Sequence, residues 1–175
     1  MKRVVLFIFI STVYSYAGWQ TDLSKQLPLL GHRNWIVIAD SAYPLQTAPG
    51  IQTVYAEEDQ LAVVGQVLEL LAEQRHVKPV FYLDSELSQV SEKYAPGISR
   101  YRKQLAKVLD GSQLDVLPHE AVIAKLDEAG KTFKVLIIKT NLTLPYSSVF
   151  IRLDCGYWDS EAENELRKAL EALAN

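Results

Sequence analysis

His32 and Asp40 stand eight positions apart in the stretch Leu-Gly-His-Arg-Asn-Trp-Ile-Val-Ile-Ala-Asp-Ser-Ala-Tyr-Pro, residues 30–44. An imidazole gives or takes a proton near neutral pH, and a carboxylate can orient it or hold charge beside a reacting group. Between them, Trp35 to Ala39 is a short apolar run rich in β-branched and aromatic residues, the mark of a strand buried on both faces. A carboxylate at the carboxyl tip of such a strand points into the crevice where α/β sheets take their ligands. A blander reading stands beside this one. Gly31 could close a helix as a left-handed cap with His32 at the negative end of its dipole, and Asp40 could cap whatever follows the strand.

Further polar side chains fall at boundaries of expected elements: His119 in Pro118-His119-Glu120, and Tyr146 and Ser148 in Pro145-Tyr146-Ser147-Ser148. The third histidine, His76, lies beside Arg75 and near Lys78 and reads as a solvated loop residue. Other chemistries find no support. Gly-rich phosphate loops are absent, three scattered histidines and one cysteine do not make a zinc motif, and neither Ser41 nor Ser147 sits in a nucleophile elbow. Asn141-Leu142-Thr143 is a glycosylation sequon, meaningful only in a eukaryotic secretory host.

The elements that must position these groups follow from periodicity. A short helix is expected over Trp19 to Leu30, capped by Thr21 or Asp22, then the strand Trp35 to Ala39 and a second strand Ile51 to Tyr55. Leu61 to Gln74 reads as an amphipathic helix with Leu61, Val64, Leu68 and Leu71 inward. Val77 to Leu83 is a strand whose Pro79 asks for an edge or an early position. After the break at Pro96-Gly97 comes a helix over Ile98 to Leu109, then a strand Leu114 to Leu117 and a helix Glu120 to Leu126 closed by Gly130. Val135 to Lys139 and Val149 to Leu153 are strands, and Ser160 to Leu173 is a charged terminal helix. Strands alternating with helices at this spacing give an α/β layered fold, one domain with a largely parallel central sheet flanked by helices.

Composition sets the outer bounds. The chain has 175 residues, 49% hydrophobic and 22% charged, enough to bury one core. Its net charge of −3, without a basic stripe, argues against a nucleic-acid partner. Lys2 and Arg3 precede an apolar run over Val4 to Val13 too short to span a bilayer, and Ser15-Tyr16-Ala17 suits signal cleavage. The expectation is a signal peptide at residues 1–17, a secreted or periplasmic protein, and no membrane span after cleavage. A first buried strand over Val4 to Ile10 is the competing reading. Cys155 is the only cysteine, so no intrachain disulfide can form.

Three segments carry a family resemblance. Leu30-Gly31-His32, Ile38-Ala39-Asp40 and Pro44 resemble the amino-terminal signature of the ribose pyranase and fucose mutarotase family. Val116-Leu117-Pro118-His119-Glu120 resembles the segment with the second histidine of the ribose branch, and Pro145-Tyr146-Ser147-Ser148-Val149 the family's Pro-Tyr-Ala-Asn motif. The helix from Thr21 to Leu30 also lines up, and Arg100-Tyr101-Arg102 is more like the fucose branch. The likeness spans about Trp19 to Tyr157, implying a sugar mutarotase domain over residues 18–158 and a helical extension over residues 159–175.

The resemblance implies an isomerase that interconverts cyclic forms of a free monosaccharide without cofactor or metal. It also implies a homo-oligomeric ring in which a neighbouring subunit completes each site. By this likeness His32 is the proton-transfer histidine, Asp40 the carboxylate that orients it, and His119 the second catalytic histidine, while Tyr146 and Ser148 contact sugar. Ser148 departs from the family asparagine, offering one hydroxyl where an amide offers two donors and an acceptor. Asn141 also stands where the family usually has an acidic residue. A non-catalytic sugar-binding or scaffolding relative is therefore the alternative.

Overall fold

The computed structural model describes residues 18–173, so the expected signal segment lies outside the described residues. The elements run α1 (Gly18–Gln26), a 3₁₀ turn (Leu27–Leu29), β1 (Trp35–Ala39), β2 (Ile51–Tyr55), α2 (Gln60–Ala72) and β3 (Val77–Asp84). A second 3₁₀ turn (Ser85–Ser88) leads to α3 (Ile98–Val108), β4 (Leu114–Leu117), α4 (His119–Thr132), β5 (Val135–Lys139), β6 (Val149–Cys155) and α5 (Ser160–Leu173). The six strands form one sheet in the order β2-β5-β1-β6-β3-β4. β5 pairs parallel with β1 and β2, β3 pairs parallel with β4, and β6 pairs antiparallel with both β1 and β3. Five strands thus run one way and β6 alone runs against them. Their carboxyl tips and the start of β6 share one end of the sheet.

The pleat explains why β1 is apolar throughout. Ile36 and Ile38 face a core built with α1, α2 and α3, including Leu23, Val63, Val64, Ile98 and Leu105. Trp35, Val37 and Ala39 face the opposite core with Val122, Leu126 and Ala129 of α4. All five β1 residues are buried. Each aliphatic side chain so placed contributes about 1.5–3 kcal/mol, which rigidly fixes the strand that ends in Asp40.

Several expectations are corrected. Thr21 and Asp22 lie inside α1, which starts at Gly18. The turn before β1 does not use Gly31 in the left-handed region; Arg33 takes it (φ 75°). Asn34 closes that turn, its Oδ1 accepting from the Gly31 N–H at 2.7 Å. α2 is rotated from the expected face: Gln60, Val63, Val64, Val67 and Leu71 are buried, while Leu61 and Leu68 are only partly so. Gly130 does not end α4 but lies within it, where its lack of a side chain admits Ile51: a Cβ there would come within 2.9 Å of the Ile51 side chain.

Pro79 is tolerated in β3 for a local reason. The Phe81 N–H donates to Gln113 at the start of β4 (2.9 Å), so the donor that Pro79 lacks, two residues earlier on the same side, would fall short of β4. His76 is not a free loop side chain: its Nε2 lies 3.2 Å from the Leu27 carbonyl and 2.9 Å from that of Leu30, tying β3 to the first turn.

Candidate active site

The carboxyl end of the sheet gathers four strand tips. Asp40 follows β1. Its Oδ1 accepts from the Ala42 N–H at 2.9 Å and its Oδ2 from the Ser148 hydroxyl at 3.0 Å. Ser148, the residue before β6, is only 3% exposed; it meets Asp40 rather than open solvent. The carboxylate is therefore held from two sides, and it lines the adjoining cleft.

His119 opens α4 directly after β4. Pro118 at the helix start supplies no side-chain cap, and a carboxylate from another element replaces it: the His119 N–H donates to both carboxylate oxygens of Glu86, at 3.1 and 3.0 Å. An anion there also suits the positive end of the helix. Backbone hydrogen bonds, its own N–H foremost, hold the Glu86 carboxyl below the usual glutamate range. The imidazole Nδ1 lies 2.9 Å from Oδ2 of Asp84, the last residue of β3. Asp84 is 2% exposed, and burial pushes its carboxyl up against the opposing pull of the His119 hydrogen bond. Its other oxygen, Oδ1, is buried with no hydrogen-bond partner. The outer face of the ring meets Tyr146 edge-on, centroids 5.4 Å apart at 81°.

Tyr146 is held in the left-handed region (φ 56°), an unfavourable conformation for a bulky residue that its surroundings must impose. The restraint is a buried polar network beneath the loop. Gln60 Nε2 and the Tyr101 hydroxyl both donate to the Ser147 carbonyl. Gln60 also donates to Tyr101 Oη (2.9 Å) and accepts from Thr140 Oγ1 at 3.0 Å. This is why α2 turns a glutamine into the core. The Tyr101 of the Arg100-Tyr101-Arg102 segment thus acts from below the site, its phenol kept neutral by burial.

Asp40, Tyr43, Gln46, His119 and Tyr146 line one cleft of about 400 Å³, within the range of small-molecule sites. Tyr43 is 6% exposed, and burial, with Asp127 nearby, pushes its phenol up to about 12. It remains a neutral group through the physiological range and accepts from Gln46 Nε2 at 3.1 Å. Two other aromatic side chains lie outside the cleft. Trp35 packs on Tyr82 in the core (5.2 Å), and Tyr55 donates to Asn141 Oδ1 at 2.6 Å on the surface. Among the described residues, no group of three His, Cys, Asp or Glu side chains is placed to hold a metal ion, and no helix is long and apolar enough to cross a membrane.

His32 is not in this cleft. It precedes β1, so the whole strand, about 16 Å at five residues, separates it from Asp40. Within one chain Asp40 does not orient it. The carboxylate near His32 is Asp154, 3.8 Å from Nδ1, which already takes a two-point ion pair from Arg152 (3.1 and 2.9 Å). His32 is exposed and borders a separate hollow of about 530 Å³ with Lys78, Gln113, Asp154 and Trp158. The chain therefore brings together Asp40, His119, Tyr146 and Ser148 and leaves His32 at the far end of the sheet. Asp84 and Glu86 were missed by sequence reasoning. Asp84 obeys the rule that singled out Asp40, since each carboxylate stands directly after the expected end of a strand, so the signal that could have found it was present in the sequence.

A model of the RbsD / FucU transport protein family matches residues 19–156. No curated protein matches the chain. Among solved structures, Bacillus subtilis RbsD complexed with D-ribose is similar at a TM-score of 0.51 and 21% identity, over 88% of this chain and 98% of that one. FucU from Bifidobacterium longum gives 0.51 and 14%, over 77% and 94%. The fucose mutarotase of Streptococcus pneumoniae in complex with L-fucose gives 0.50 and 18%, over 76% and 91%. At these identities the likeness is one of fold.

Proposed function

Because the chain belongs to the RbsD / FucU transport protein family, we propose that it is a monosaccharide mutarotase or pyranase working by general acid–base catalysis without a cofactor. Ring opening moves two protons. The anomeric O–H proton passes to a base as the C1 carbonyl forms, the C1–O bond to the ring oxygen breaks with its electron pair going to that oxygen, and an acid protonates it there. Closure reverses each step, and no redox change occurs. Positioned groups of this kind contribute about 10²–10⁴-fold each.

The observation that carries this reading is the convergence of Asp40, His119 and Tyr146 on one cleft. His119 Nε2 serves as one proton carrier, Asp40 takes sugar hydroxyls, Tyr146 packs on the sugar, and Ser148 acts by holding Asp40. His32 is the second proton carrier, and its position fits only a site completed by another copy. A head-to-tail contact places the His32 end of one sheet against the Asp40–His119 end of the next, and repetition of such a contact closes a ring.

Magnetisation-exchange NMR on ribose, fucose, galactose and glucose tests the proposal. Accelerated exchange for at least one sugar is expected, with His119→Ala losing about 10²-fold or more of the acceleration. Sugar-dependent shifts without faster exchange would instead assign a binding protein, and no response to any sugar would overturn both readings.

A further inference from the structure

Resting on the proposed role of His119, we propose that Asp84 is its positioning residue, fixing the imidazole as the Nδ1–H tautomer so that Nε2 presents its lone pair to the cleft. The argument is geometric. Two residues of one turn, Asp84 and Glu86, hold the two ends of a third: Asp84 takes the ring at 2.9 Å and Glu86 the backbone N–H at 3.0 Å. Asp84 thus sets the rotation of the ring, Glu86 anchors the backbone that carries it, and Tyr146 stands edge-on beside it. A neutral imidazole has one N–H and one lone pair, so the nitrogen that donates to a carboxylate decides which nitrogen can accept a proton. With Nδ1–H given to Asp84, the acceptor is Nε2.

A structural ion pair would be built differently. Asp84 is 2% exposed, and of its two oxygens only Oδ2 has a partner. Leaving a carboxylate oxygen buried and unpaired costs stability, which a residue kept only for folding would not retain. The other ionisable groups around the dyad are the carboxylates of Glu86 and Asp40 and the phenols of Tyr146 and Tyr43, and none of them donates a hydrogen bond to Asp84. The arrangement serves the orientation of His119 at the expense of the fold.

Asp84→Asn tests this with the shape preserved. Long-range ¹H–¹⁵N spectra of the full-length chain, with the His119 signals assigned from His119→Ala, should show the Nδ1–H tautomer in the wild type. In Asp84→Asn, whose amide can donate to Nδ1, they should shift toward Nε2–H. Sugar exchange should fall about 10²-fold at a sugar Kd changed less than about two-fold, and thermal melting at neutral pH should not drop. If Asp84→Asn proves insoluble, the tautomer is read in Asp84→Ala, where loss of the Nδ1–H preference is again expected. An Nε2–H tautomer in the wild type, or an unchanged tautomer in the variant, overturns the proposal, as does lower melting at unchanged rate. The spectra decide the matter even if the wild type accelerates no sugar tested, so failure of the catalytic reading and failure of this one are separable.

Discussion

Asp84 brings a pH dependence that can be read without any substrate. Burial raises its carboxyl in the folded chain from an ordinary value of 3.8, so the folded state keeps a proton that the unfolded state gives up. The resulting stabilisation is complete below 3.8 and is lost as pH rises through the raised value. Asp84→Asn has nothing to ionise there. Its melting temperature relative to the wild type should therefore climb as pH increases from below 4, then level off, and a scan of both proteins against pH checks this. The site side chains divide by how they announce themselves. Asp40 and His119 were legible because each stands at a strand tip beside a turn. The partners of Ser148 were not, because nothing in a sequence says that a hydroxyl at position 148 meets a carboxylate at position 40 (3.0 Å). Likewise the eight-residue spacing of His32 and Asp40 looked like proximity, whereas an extended strand between two residues keeps them apart.

Among the elements, α3 offers a clean test of capping. Its N-cap is Gly97 (φ 95°), which has no side chain to cap with, and Glu92 from the preceding turn accepts from the N–H groups of Gly97 and Ser99 instead. Those bonds lower the Glu92 carboxyl from 4.5 to about 2. A depressed carboxylate stabilises above its unfolded value and loses that contribution as pH falls through the folded one. Glu92→Gln should melt below the wild type at neutral pH, with the gap closing between pH 4.5 and about 2. The network under the Tyr146 loop gives a second test. Gln60→Leu removes the donors and acceptor that link α2 to Thr140 and Ser147, and should cost about 1–3 kcal/mol in chemical denaturation. The loop is then less well held, so the KM for sugar should rise more than kcat falls. Strands β1, β2 and β5 could be delimited from composition because short runs rich in β-branched residues end in polar or turn residues, and β4 from its place between Ser112 and Pro118. The rotation of α2 could not, since the pull of Gln60 into the core comes from Tyr101 and Ser147, far away in sequence.

At the scale of the whole molecule, the proposed ring would bring the two ends of the sheet together as complementary halves of one site. Equal mixing and co-refolding of His32→Ala with His119→Ala should regenerate sites having both histidines. In a head-to-tail ring about a quarter of all sites would do so, so exchange should return to about a quarter of the wild-type rate while each variant alone stays inactive. Native mass measurement of the wild type should show a closed oligomer. A sheet could be foreseen from alternating strands and helices, but strand order could not, because β6 is last among the strands and yet sits between β1 and β3.

That central position of β6 constrains how the molecule comes into being. Without Val149–Cys155 the remaining strands form two disconnected groups, β2-β5-β1 and β3-β4, each exposing an unsatisfied inner border to any passing extended chain. During synthesis the two parts must wait for the last strand to leave the ribosome before they can be zipped together. Asp40, which lines the cleft, and Asp84, which holds His119 at its margin, lie on opposite sides of that seam and come together only when it closes.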